Sequence, residues 1–101
     1  MDSAEMGGMK YIRVKWSHAH PHEPVWLYTE LNDSRSEVRK VHVFPDGHAE
    51  WADNDHEIGS TRLSETPIPS VDQINTQAEF QAIEIPKDEF GRVWTGARTS
   101  N

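Results

Sequence analysis

Glu37-Val-Arg-Lys-Val-His-Val-Phe44, then Pro45-Asp46-Gly47, then His48-Ala-Glu-Trp-Ala52 is the stretch on which the fold turns. The first run is rich in β-branched residues, which fit a pleated and half-buried surface. Pro-Asp-Gly supplies tight-turn chemistry, because Pro presets φ, Asp bonds the backbone two residues on, and Gly accepts the left-handed conformation. A three-residue loop sets Phe44 opposite His48, Val43 opposite Ala49, His42 opposite Glu50 and Val41 opposite Trp51. Val41, Val43, Ala49 and Trp51 then form the core face of a hairpin. His42 and Glu50 read as an ordinary cross-strand surface pair, able to titrate near neutrality.

Upstream, Tyr11–Trp16 alternates, with Ile12, Val14 and Trp16 on one side and Tyr11, Arg13 and Lys15 on the other, as a half-buried strand requires. Ser17–Pro24 holds two prolines and breaks the ladder, and Val25–Leu31 resumes it until Asn32-Asp33-Ser34 ends the strand. Downstream, 53–65 is polar and turn-like, and Thr66-Pro67-Ile68-Pro69 is extended because proline disfavours helix before it. Ser70 can cap a short helix through Asn75. Phe80–Ile85 alternates weakly as a fifth strand. Pro86, Asp88 and Glu89 suit a helix start, and Phe90, Val93, Trp94 and Ala97 form an apolar stripe at helical spacing. Strands first and helices last indicate an α+β fold: an antiparallel sheet of four to five strands with C-terminal helices packed on one face.

At 101 residues there is room for one core, expected over 9–98, between a disordered lead or tag remnant at 1–8 and a disordered tail at 99–101. The chain has no Cys, which removes disulfides, thiolate ligands and a cysteine nucleophile. With no signal-like apolar run at the N-terminus and no membrane-length stretch, a cytoplasmic location is expected, with no membrane partner.

The net charge of −7 is uneven. Between Lys10 and Lys40 six basic residues stand against four acidic ones, whereas between Asp46 and Glu89 eleven acidic residues meet only Arg62 and Lys87. Such a segment repels phosphate backbones, so direct nucleic-acid binding is disfavoured and a basic protein partner, such as a toxin or nuclease, is favoured. The plain alternative is acidity serving solubility.

The run Tyr11-Ile-Arg-Val-Lys-Trp16, then Glu23-Pro-Val, Leu27-Tyr-x-Glu-Leu31, Glu37-Val-Arg-Lys-Val41 and Asp46-Gly47, resembles a bacterial domain family of unknown function. Gly59-x-Thr-x-Leu63, Pro67-Ile-Pro-Ser70, Ile74-Asn75, Glu79-Phe80 and Glu89-Phe90 continue the resemblance, which covers roughly residues 9–95. It implies a single domain and brings no activity or catalytic residue with it.

Three constellations carry possible chemistry. His18-x-His20-x-His22 places three imidazoles at alternate positions, a metal-ligand pattern in an extended segment, although Pro21 and Pro24 bend it and an exposed loop is the commoner occurrence. Asp53-x-Asp55-x-Glu57 fails as a calcium loop, since Ile58 and Ser64 stand where an EF-hand needs Gly and Glu. It remains a carboxylate cluster between Trp51 and Arg62. Trp26, Tyr28 and Phe44 fall opposite the expected core face, where they are exposed binding residues if helices cover one face only, and ordinary packing if both are covered. No nucleophile elbow, phosphate loop, His-Glu-x-x-His or Cys-His pair occurs, so neither catalytic residues nor a cofactor is expected.

Together these features favour a small acidic protein-binding module, most concretely an inhibitor or toxin-neutralising immunity protein. Its expected partner-binding residues are Trp51, Asp53, Asp55, Glu57, Arg62, Trp26 and Tyr28. A metal-binding domain or enzyme using His18, His20 and His22 is the alternative, and a nucleic-acid mimic that blocks a DNA-binding protein is a further one.

Overall fold

A computed structural model of the chain describes residues 8–99. The expected lead, except Gly8, and the last two residues of the expected tail lie outside the described residues. Strand β1 spans Lys10–Trp16, β2 Trp26–Leu31, β3 Glu37–Val43 and β4 Ala49–Ala52; after a long connection come the short helix α1 at Val71–Ile74, strand β5 at Phe80–Glu84 and helix α2 at Lys87–Thr99. They form one five-stranded sheet in the order β4-β3-β2-β1-β5, with every pairing antiparallel. The α+β class and the C-terminal helix are as the sequence indicated, and α2 runs one residue into the expected tail.

The hairpin forms in the expected register, Val41 opposite Trp51, His42 opposite Glu50 and Val43 opposite Ala49. Its turn closes with Phe44 N–H donating to His48 O at 2.9 Å and Gly47 N–H to Phe44 O at 2.8 Å, and Gly47 takes φ 92°, which a β-carbon would oppose. Between β2 and β3 the register slips: Glu30 opposes Arg39 but Leu31 opposes Glu37, leaving Val38 as a bulge.

The sheet has two covered faces. On one, α2 lays Phe90, Trp94 and Ala97 on Tyr11, Val41 and Trp51. Trp94 meets Trp51 edge-on at 5.2 Å, the arrangement that ring quadrupoles favour. The rows Arg13, Tyr28, Val41, Trp51 and Lys15, Trp26, Val43, Ala49 all belong to this face. Trp26 and Tyr28 therefore share the hairpin's core face instead of opposing it, and Tyr28 packs against the α2 cluster. Phe44 is buried and stacks on His48. Glu30, 5% exposed, accepts two hydrogen bonds from Arg39 at 2.6 and 2.9 Å, while that guanidinium lies over the Phe90 and Trp94 rings. A charge this deep is tolerable because it is paired, hydrogen-bonded and covered.

The second face carries Ile12, Val14, Leu31 and Ala82. Strand order dictates what covers it. The chain leaves β4 at one edge of the sheet and must reach β5 at the other, so the 53–79 connection crosses a face. It brings Ile68, Val71 and Ile74 over the second cluster. The expected cap forms, with Ser70 Oγ accepting from Gln73 N–H at 3.1 Å. The short helix is thus on the face opposite α2. At the open edge of β5 the Asn75 side chain acts as a sixth strand of one residue: it donates to Ala82 O at 2.9 Å and accepts from Ala82 N–H at 2.6 Å.

Candidate functional site

Where the connection crosses, it does not fully close on the sheet. A pocket of about 550 Å³ remains beneath it, within the usual size of small-molecule sites. Ile12, Val14, Leu27 and Phe80 form its apolar floor, and Ile68 and Ile74 its roof. At one end stand four polar side chains, Thr29, Glu37, Lys40 and His42. Thr29 and Lys40 face each other across the β2–β3 pair, as do Leu27 and His42, so the polar end is written into the strand register. The bulge at Val38 turns Glu37 onto the same face as Lys40.

The roof is held from the sheet. Arg35, at φ 61°, is the non-glycine residue with a positive φ among the described residues. Its backbone carbonyl accepts from Ile68 N–H at 2.8 Å, and its guanidinium donates to Ile68 O at 2.8 Å and to Pro69 O at 2.7 Å. A strained residue kept in place by several bonds marks a position whose geometry matters. Glu37 accepts from Ser64 N–H at 2.6 Å, and Lys40 donates to Arg62 O at 2.8 Å, which ties the start of the crossing to the polar end.

The electrostatics of that end are balanced. The Lys40 ammonium and Glu37 carboxylate lie 2.8 Å apart, their side chains 11% and 5% exposed. Burial pushes His42 down to about 4, with the nearby Lys40 charge adding to the effect and Glu50 opposing it. His42 is therefore a neutral ring at physiological pH and not the near-neutral titrating surface pair that the hairpin register suggested. Glu50 accepts from Thr61 Oγ1 at 3.0 Å and from Ser60 N–H at 3.1 Å. Burial would raise its carboxyl, but these bonds and one from His48 outweigh that and hold it below its ordinary value. Thr61, 1% exposed, also reaches His42 Nδ1 at 3.2 Å. Gly59, at φ 65°, permits this packing, because a β-carbon there would run into the Glu50 carboxylate.

The residues singled out from sequence are not assembled in one place. Trp51 is 7% exposed and packed in the α2 core, so it presents no contact surface. Its Nε1 is buried without a hydrogen-bond partner. Asp53, Asp55 and Glu57 sit on the loop after β4, with Asp53 accepting from Asp55 N–H at 2.9 Å and from the His56 ring at 3.1 Å; Arg62 lies 3.9 Å from Glu57. Trp26 lies at the other end of its strand, opposite Val43 beside the hairpin turn. There the Arg13 and Lys15 cations stand 5.4 and 5.8 Å from its ring. The acidic loop and the aromatic pair are separate surfaces. In the histidine run, both His18 nitrogens are engaged, Nδ1 accepting from His20 N–H at 2.9 Å and Nε2 bonding Pro24 O at 2.8 Å. Among the described residues no three His, Asp or Glu side chains gather as a metal set. No described helix is long and apolar enough to cross a membrane.

The sequence reading missed the pocket. Its polar end comes from a bulge that periodicity does not announce, and its roof from a stretch of no regular structure. The one local hint was Thr66-Pro-Ile-Pro69, an extended apolar-bearing segment between a polar turn-like run and the short helix capped by Ser70.

The family model described as Domain of unknown function (DUF6881) matches residues 10–99. No curated protein and no solved structure matches the chain.

Proposed function

We propose that this chain, which belongs to the DUF6881 family, is a binding module that receives a small, largely apolar ligand on the second face of its sheet. The observation that carries this reading is the pocket of about 550 Å³, with its apolar floor and roof, the polar cluster of Thr29, Glu37, Lys40 and His42 on the sheet, and Gln73, Thr76 and Gln77 completing the wall from α1 and the turn after it. Sites of that shape take an apolar body by burial and fix its orientation by a few polar contacts. The polar groups are held in place by one another and by the crossing, Glu37 through Lys40 and Ser64 N–H, Lys40 through Arg62 O and His42 through Thr61, a fixed arrangement that suits recognition. The test is ligand-observed NMR on a fragment library, run with the wild type and with Ile74→Trp, which fills the roof. Fragments that bind the wild type and lose binding to the variant support the reading. A library without hits, or hits that bind both forms alike, contradicts it.

A second reading keeps the protein-binding module, an inhibitor or immunity protein acting on a basic toxin or nuclease. Its support is that Asp55 and Glu57 are exposed on a loop closed by the Ala52–Glu57 bridge and pinned by Asp53, so their charges are preorganised for a basic surface. Its test is affinity for an identified basic partner with and without Asp55→Lys and Glu57→Lys. Salt-sensitive binding lost in the variant supports it, and binding indifferent to both charges refutes it.

A further inference from the structure

Thr61 has one hydroxyl proton and two neighbours that could take it, Glu50 Oε1 at 3.0 Å and His42 Nδ1 at 3.2 Å. The carboxylate is an obligate acceptor, whereas a neutral imidazole carries a proton on either nitrogen. The hydroxyl proton therefore goes to Glu50, and Nδ1 of His42 holds its own proton and donates it to Thr61. That choice fixes the tautomer and leaves Nε2 a bare acceptor. His42 is one of the pocket walls, and among the described residues its Nε2 makes no hydrogen bond. Lys40, also in the wall, has three ammonium protons, of which two go to Glu37 and to Arg62 O. It keeps one for an incoming acceptor. The polar end thus offers one acceptor and one donor two residues apart on β3.

We infer that the ligand is a neutral molecule with an apolar body and a hydroxyl head, the hydroxyl donating to His42 Nε2 and accepting from Lys40. The inference rests on the pocket reading above. A hydroxyl satisfies both groups at once. A carboxylate does not, since it would place a second acceptor before Nε2 and would meet a lysine charge that Glu37 already neutralises. A pure hydrocarbon would leave His42 Nε2 and the third Lys40 proton without partners after expelling their water. The charged groups facing His42 are Lys40 from its own strand and Glu50 from β4, and Thr61 faces it from the crossing. Burial against these keeps the ring neutral.

Matched probes test this: 4-propylphenol, propylbenzene and 4-propylbenzoate, titrated calorimetrically into the wild type and His42→Phe, with methyl shifts of Ile12 and Ile74 recorded alongside. The phenol should bind about tenfold tighter than either other probe, the worth of one well-made hydrogen bond, and His42→Phe should cut that advantage severalfold, leaving only what the Lys40 bond contributes. Long-range proton–nitrogen correlation on the wild type reads the tautomer directly, and does so whether or not the variant folds. Its expected result is a proton on Nδ1 and none on Nε2. Equal or tighter binding of propylbenzene or the benzoate, or a proton on Nε2, overturns the inference and leaves the pocket reading standing. Failure of all three probes to move the Ile12 and Ile74 methyls overturns the pocket reading as well.

Discussion

Lowering the pH from 7.5 to 5 should remove a definite share of the protein's stability through one ring, His42. His42 falls to about 4 on folding, from an ordinary value of 6.5, so between those limits the unfolded chain binds a proton that the folded chain refuses. Stability is complete above the unfolded value and is lost as the pH drops toward the folded one. At pH 5 the unfolded ring is almost wholly charged and the folded ring almost wholly neutral, which amounts to about 2 kcal/mol. For a domain of this size that is a fall of roughly 8–16 °C in Tm. Other groups also respond to acid, so the assay is differential: urea unfolding of the wild type and of His42→Gln at half-unit steps across the interval. The variant cannot take up the proton and should lose about 2 kcal/mol less than the wild type. Parallel curves for the two proteins would refute the placement of His42 as a half-buried, neutral wall of the pocket.

Glu30→Gln should cost about 3 kcal/mol in chemical denaturation, near the low end for breaking a buried pair because Arg39 retains some solvent and its stacking on Phe90 and Trp94. Glu30 also adds acid sensitivity: burial would raise it, but bonds from Arg39 and Tyr11 bring it below the ordinary carboxylate value, so its contribution is present above about 4.5 and fades as the pH falls through its folded value. Gly59→Ala should cost about 1–2 kcal/mol from the left-handed backbone alone. By displacing Glu50 it should also shift the His42 ring resonances, which a purely local strain would leave unmoved. Asn75→Ala strips both partners from Ala82 and should cost about 1–3 kcal/mol; it also opens the β5 edge, so concentration-dependent association should appear in sedimentation.

Most of the fold was legible because it rests on local chemistry. Pro45-Asp46-Gly47 fixed a loop length, and loop length fixed a register that the strands then kept. Pro86 and the Phe90, Trp94, Ala97 stripe located α2 for the same reason. The face assignment went astray at Trp26 and Tyr28. Alternation says which residues of one strand share a side, but which side faces which depends on pairing between β1, β2 and β3, and that is a long-range fact. The bulge at Val38 compounds this, since strict alternation puts Glu37 and Lys40 on opposite faces while the bulge joins them as an ion pair. The pocket was the least legible feature because it is made by absence of contact. Nothing in Ile68 or Ile74 states that the crossing will stand off the sheet, and the anchor that sets its height, Arg35, is an arginine where left-handed geometry usually signals glycine.

The most direct measurement of the central claim is a methyl-labelled NMR titration with 4-propylphenol. The expected result is saturable shifts at Ile12, Val14, Leu27, Ile68 and Ile74, with Val41 and Val43 on the opposite face and Val93 of α2 unmoved. Shifts centred on the α2 face, or no saturable shift on either face, would contradict it.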